Sequence, residues 1–214
     1  MDMPIFLSPT AMQSLYHPDG DKASARAAEK FGTIYSMSTM ASFSIEEIAN
    51  LSSGPKIFQL YIHKDQSITD DLIDRCKRAN FNGMCITVDT IVAGNRERDH
   101  RTGFTTPPKF TLDSLMSFAM RPQWVFNYFT NKKFELANLK DKVEKGTNIA
   151  QSVMGYINEQ YDPAMNWKDA EYCIKKWDGP IALKGVMSVE DAKKAIDIGC
   201  LSLIHISEPT RPLH

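Results

Sequence analysis

Gly83-Met84-Cys85-Ile86-Thr87-Val88-Asp89-Thr90-Ile91-Val92-Ala93-Gly94-Asn95-Arg96 is the stretch that decides the fold. Met84, Cys85, Ile86 and Val88 make an apolar run with Asn82-Gly83 before it and Thr87, Asp89 and Thr90 at its far end, which is how a strand buried on both faces of a parallel sheet reads. Polar atoms gather at its C-terminal end. In a (β/α)8 barrel that end carries the chemistry, because strand tips and the loops after them converge on one mouth. Thr87 and Asp89 are thereby placed on a functional face, with Arg96 in the loop beyond.

Working back toward the N-terminus, strands are expected at residues 4–8, 33–37 and 56–61. Helices are expected between them. One spans residues 21–31 with Ala23, Ala27, Ala28 and Phe31 as its apolar stripe, closed by Gly32. The next opens at the capping box Ser44-Ile45-Glu46-Glu47, and a third starts at Thr69-Asp70-Asp71 with Leu72, Cys76 and Ala79 along one side. Residues 101–162 then interrupt the alternation, an excursion too long for a plain connection and read as a lid or inserted subregion. Beyond it come a helix capped by Asn166, a strand at residues 181–184 with Lys184 at its tip, and a helix opened by Ser188 whose Ala192, Ala195 and Ile196 should face the barrel. Strand and helix alternating in this way predict βαβ units, and therefore an α/β fold of the (β/α)8 TIM-barrel type, truncated after about strand five, with a long insertion after strand four.

The 214 residues are 43% hydrophobic and 24% charged, enough apolar material for one sizeable core. A formal charge of -1 with scattered Lys and Arg gives no case for nucleic acid. Cys76, Cys85, Cys173 and Cys200 lack Cys-x-x-Cys spacing, so buried free thiols in a reducing compartment are expected, and no metal site. No apolar run approaches the length of a membrane span. A cytoplasmic location follows from these readings.

Gln59, Tyr61, Thr87, Asp89 and Lys184 share one property: each is a polar residue at the C-terminal end of an apolar strand. A strand-end Thr or Gln alone usually satisfies local backbone groups. Five at one barrel end point to chemistry, because a buried Lys needs an anionic partner and an Asp beside it suits orienting a base. His17, His63 and His100 lie in loops without metal-ligand spacing and are read as solvated or locally bonded.

Pro9-Thr10-Ala11-Met12, Phe58-Gln59-Leu60-Tyr61, Thr87-Val88-Asp89-Thr90 with Arg96, Trp167-Lys168-Asp169 and Leu183-Lys184-Gly185-Val186 resemble, in order and spacing, the FMN-dependent α-hydroxy-acid oxidising family. That family includes glycolate oxidase, flavocytochrome b2, mandelate dehydrogenase and the respiratory L-lactate dehydrogenases. Arg121-Pro122-Gln123-Trp124 and the stretch from Tyr161 to Asp169 look most similar to the bacterial L-lactate dehydrogenase branch. The resemblance implies FMN at the barrel mouth, contacted by Pro9, Thr10, Ala11, Ser38, Gln59 and Thr87, with Lys184 near flavin N1 and O2. It also implies that Tyr61 hydrogen-bonds a 2-hydroxy-acid substrate, Arg96 binds its carboxylate, and Asp89 steadies a catalytic histidine. Oxidation of L-lactate to pyruvate is the implied reaction, with electrons passed to quinone, cytochrome or oxygen in a homo-oligomer. Glycolate or mandelate oxidation, another FMN barrel such as a type 2 isopentenyl diphosphate isomerase, and a catalytically dead binding fragment are the alternatives.

The sequence departs from the family in four places. Met40 stands where plant oxidases have Trp. No N-terminal helical segment with a further active-site tyrosine precedes residue 4. The strand-six histidine in its Ser-Asn-His-Gly-Gly-Arg setting is absent, and His205, with no Gly-Gly-Arg after it and Pro209 and Pro212 nearby, does not replace it. Leu201-Ser202-Leu203-Ile204-His205-Ile206-Ser207-Glu208-Pro209-Thr210-Arg211 is also the literal translation of a sequence that resembles a transposase-type sequencing adapter. The expected organisation is one partial barrel domain over residues 1–200 with residues 101–162 inserted, and a non-native tail over 201–214; the chain by itself is expected to be inactive. Leu115, Met116, Phe118, Met120, Trp124, Phe126, Tyr128 and Phe129 crowd large apolar groups into the insertion, either as packing over the mouth or as a peripheral contact with the inner face of the plasma membrane.

Overall fold

The computed structural model describes residues 1–89, 97, 101, 111–131, 135–139, 160, 162 and 164–204. Its centre is a five-stranded parallel sheet: β1 (Tyr35–Ser38), β2 (Lys56–Leu60), β3 (Gly83–Thr87), β4 (Ile181–Lys184) and β5 (Ser202–Ile204), in the order β1-β2-β3-β4-β5. Each strand lies beside its predecessor. An open doubly wound sheet reverses direction at a switch point, so this unbroken sequential order is that of a barrel wall.

Helices fill the crossovers: α1 (Gly20–Lys30), α2 (Ile45–Leu51), α3 (Gln66–Arg78), α4 (Leu112–Ala119), α5 (Pro122–Thr130), α6 (Trp167–Trp177) and α7 (Val189–Asp197). The expected caps are present. Ser44 and Glu47 close a reciprocal capping box on α2, Asn166 and Asp169 close one on α6, and the Ser188 side chain accepts from Asp191 N on α7.

Register separates two kinds of side chain. Met37 pairs with Phe58, Phe58 with Met84 and Met84 with Ile181, which puts these residues, with Leu60, Ile86 and Leu183, on the face toward the helices. All are buried in one core with Ile48, Leu72, Ile73 and Cys173. Ser36, Ser38, Gln59, Gly83, Cys85, Thr87, Ala182 and Lys184 occupy the opposite, barrel-interior face, where small and polar side chains predominate. All four cysteines are free and buried, as their spacing implied.

Several expectations are corrected. In place of a strand over residues 4–8 there is one parallel bridge, Leu7 to Tyr35, flanked by Leu7 N donating to Ile34 O. The buried side of α1 is Asp21, Ala25 and Ala28, while Phe31 is 57% exposed. Asp21 is the reason: its carboxylate accepts from Tyr35 Oη at 3.0 Å and Ser42 N at 2.9 Å, which turns the i, i+4, i+7 line of Asp21 inward. Helix α3 begins at Gln66 under an Asp65 cap, with Thr69 buried inside it. On α7, Ala195 faces inward and Ile196 is 64% exposed. Ser202–Ile204, expected in the tail, pairs with β4 through Ala182, Leu183 and Lys184. Backbone pairing of three residues makes little demand on sequence, so it is compatible with either origin of this stretch.

Residues 135–139 bring the insertion back to the body. Asn138 Oδ1 accepts from Ile45 N at 2.9 Å and Arg75 Nη1 donates to Asn138 O at 3.2 Å, with Leu136 and Leu139 buried beside them. Arg75 also grips Glu46 through two 2.7 Å hydrogen bonds, which hold that carboxyl down to about 2.

Candidate active site at the strand tips

Parallel strands in sequential order bring their C-terminal ends to one rim, and the polar residues there form a connected chain. Ser38 Oγ donates to Gln59 Oε1 at 3.1 Å, and Gln59 Nε2 donates to Thr87 Oγ1 at 2.8 Å. All three side chains are buried. Because Thr87 accepts from Gln59, its own hydroxyl proton is directed elsewhere, and Gln59 keeps a second N–H. Thr39 ties the next layer: its hydroxyl donates to Gln59 O at 2.7 Å and accepts from Tyr61 N at 3.2 Å.

Thr87 stands in register with Lys184 on β4. The Lys184 side chain is 7% exposed and its ammonium lies 3.5 Å from Asp89 Oδ1, so the two strand-tip charges found in the sequence meet as an ion pair. Burial raises the Cys85 thiol, one pleat below on the same face, to about 12, with Lys184 opposing and Asp89 adding to that rise. Cys85 is therefore a neutral packing group. Gly185 follows with φ +102, and a Cβ there would meet Asp89 Cβ at 2.5 Å and Asp89 N at 3.0 Å. Only glycine allows β4 to turn away this close to Asp89.

Other expected site residues sit around this centre. Met12 N donates to Met40 O at 3.0 Å, which docks the Pro9-Thr10-Ala11 turn on the loop leaving β1. Thr10 Oγ1 donates to Ser8 O at 3.4 Å, and Tyr61 follows the β2 tip half-buried. Arg96 and His100 lie outside the described residues. Thr39 and Gly185 were not singled out in the sequence, although both flank residues that were: Thr39 follows Ser38, and Gly185 follows Lys184.

Of the two readings for His63, solvated or locally bonded, the second holds, since it is 2% exposed. Its backbone N–H donates to Thr69 Oγ1 at 3.0 Å, which pulls the residue under the start of α3. Burial lowers the imidazole to about 4, against the opposing pull of Asp65.

A cavity of about 550 Å³ opens beside the rim rather than at the chain of strand tips. Residues 14–19 and Ser42 form one side of it and α5 the other. Trp124 Nε1 donates to Leu15 O at 2.9 Å and pins α5 there. Leu112, Met116, Met120 and Phe126, outside the cavity lining, and Phe129 on its edge are each more than 60% exposed. Among the described residues no helix is long and apolar enough to cross a membrane.

Comparison with known proteins adds three findings. A family model for FMN-dependent dehydrogenases matches residues 1–208. Glycolate oxidase 1 of Oryza sativa subsp. indica is 35% identical over 213 residues, covering 100% of this chain and 52% of that protein, and the L-lactate dehydrogenase of Yersinia pestis (strain Pestoides F) is 34% identical over 203 residues, covering 94% and 53%. The chain thus spans about half the length of the curated relatives it matches. Among solved structures, the monotopic membrane protein (S)-mandelate dehydrogenase superposes with a TM-score of 0.89 at 28% identity, over 99% of this chain and 56% of the other.

Proposed function

Since the chain belongs to the FMN-dependent dehydrogenase family, we propose that it is part of an enzyme that oxidises a small L-2-hydroxy acid, L-lactate to pyruvate, and hands the electrons to a quinone. The observation that carries this reading is the buried Lys184 with Asp89 at 3.5 Å, beside the Ser38-Gln59-Thr87 hydrogen-bond chain. The donor set fits a flavin ring edge. Such an edge presents several acceptors and one donor, and here the Thr87 hydroxyl, the second Gln59 N–H and the Lys184 ammonium offer donors, while amide and hydroxyl oxygens can accept.

FMN supplies a two-electron acceptor when bound. With FMN held at this rim, Lys184 would offset the negative charge that reduction adds, and its burial would keep water from screening that charge. Gln59, clamped from both sides by Ser38 and Thr87, cannot rotate its amide without breaking a hydrogen bond, so it presents one orientation. Asp89 has one oxygen directed to Lys184, and its carboxylate can also steady an imidazolium formed when a histidine takes the substrate hydroxyl proton. Tyr61, at the next strand tip, suits a hydrogen bond to the hydroxy acid, and Arg96 its carboxylate.

The test is anaerobic flavin reduction in the full-length protein that contains this chain, with L-lactate, glycolate and (S)-mandelate compared. L-Lactate should give the highest second-order rate. A clear preference for glycolate or mandelate would move the assignment within the family, and no reduction by any of them would remove it. Residues 1–214 alone leave the outer edge of β5 without a partner among the described residues, so they should lose FMN on gel filtration. Stoichiometric retention would contradict that.

A second reading concerns location, and the exposed apolar groups of α4 and α5 favour it. Leu112, Met116, Met120, Phe126 and Phe129 form an apolar surface suited to the headgroup boundary of a bilayer, which would place the enzyme peripherally on the inner face of the plasma membrane.

A further inference from the structure

We infer that the 550 Å³ cavity between α5 and residues 14–19 is the binding site for the head ring of a lipophilic quinone, an inference that rests on the proposed quinone-linked oxidation. Its walls are largely aromatic. Trp124 is held in a stack between Phe118 at 5.4 Å and Tyr128 at 5.2 Å, and its hydrogen bond to Leu15 O keeps the indole from rotating. Phe43 faces the same cavity with the Lys22 ammonium 4.2 Å above its ring.

Two donors complement the carbonyl oxygens of a quinone. Lys22 offers N–H groups beyond the one it shares with Glu47 at 3.4 Å. His17 Nδ1 accepts from Asp19 N at 3.2 Å, which leaves Nε2–H as the side of the ring that can donate to an acceptor. The place is also right. Ser42, on the cavity wall, lies on the loop that leaves Ser38, and its hydroxyl accepts from Ser14 N at 3.1 Å, so the cavity shares the rim with the strand-tip cluster. On its other flank the exposed apolar residues of α4 and α5 offer a path for an isoprenoid tail. The redox balance closes: the hydroxy acid loses two electrons and two protons to become the keto acid, and the quinone gains two of each to become the quinol. Both quinol protons come from water, while the Nε2–H of the exposed His17 donates a hydrogen bond to the quinone carbonyl.

The experiment uses the full-length, FMN-loaded enzyme with decylubiquinone or ferricyanide as acceptor, in the wild type and in Lys22→Met and His17→Ala. Both variants should raise the KM for decylubiquinone about tenfold or more, while the ferricyanide rate and FMN content stay at wild-type values. Photolabelling with an azido-ubiquinone should tag residues 14–22 or 124–131. An unchanged quinone KM in both variants, or label confined to the outer residues of α4, would overturn the site. Should L-lactate fail to reduce the flavin, the substrate assignment falls, and the photolabel position still decides the cavity.

Discussion

On the sheet, the apolar residues of β1 to β4 are covered by helices of the same chain and only polar tips reach the rim, whereas on α4 and α5 Leu112, Met116, Met120, Phe126 and Phe129 stay more than 60% exposed. What separates them is where the partner surface lies: for the sheet it is supplied within the chain, and for these residues of α4 and α5 it is not supplied by the described residues. A rigid covered wall suits charges that must be held in place, and an uncovered surface suits a contact with something else.

Lys184→Met breaks the first half of that contrast and should have the largest effect. Removing the buried cation should slow flavin reduction about a hundredfold and weaken FMN retention in the full-length protein. Stopped-flow absorbance and flavin release by ultrafiltration read these two effects, and wild-type values for both would detach Lys184 from the site.

His63 offers a test of how tightly the wall beyond β2 is closed. Unfolded, its imidazole takes up a proton near the ordinary 6.5; folded, only near 4. Between those values the unfolded chain binds more protons, so stability is full above about pH 6.5 and falls as the pH drops toward 4, by up to about 3 kcal/mol. Urea midpoints at pH 7.5 and 5.0 should differ in the wild type, and His63→Gln should remove much of that difference. Equal pH sensitivity in the variant would mean that the side chain is not enclosed as described.

The smallest effect on chemistry is expected from the other region. Phe126→Ser with Phe129→Ser should leave flavin reduction by L-lactate unchanged while lowering co-sedimentation with anionic liposomes several-fold. Undiminished liposome binding would leave the exposed face of α5 without the role given to it.

Much of the wall was readable because strand burial and helix capping are local. The run Met84-Cys85-Ile86 with Thr87 and Asp89 after it marked both β3 and the rim, and Ser44, Asn166 and Ser188 marked three helix starts. The buried side of α1 was not readable, because a hydrophobic pattern discards Asp21, the residue that turns the helix inward by bonding Tyr35 and Ser42 from elsewhere in the chain. The burial of His63, read from sequence only as solvated or locally bonded, was not legible for a similar reason: Thr69, six residues on, captures its backbone N–H. Gly185 needed the position of Asp89, nearly a hundred residues away in sequence, before its missing Cβ had any meaning. The insertion announced its composition but not its anchors, since Asn138 and Trp124 are held by Ile45, Arg75 and Leu15 across long separations.

The central claim is that the strand-tip carboxylate and lysine serve hydroxy-acid oxidation at the flavin, and Asp89→Asn in the full-length enzyme tests it most directly. The amide keeps the size of the side chain and removes the charge that steadies both Lys184 and a protonated base. Anaerobic stopped-flow reduction by L-lactate should slow by about a hundredfold or more, with FMN content unchanged. Reduction at the wild-type rate would contradict the account.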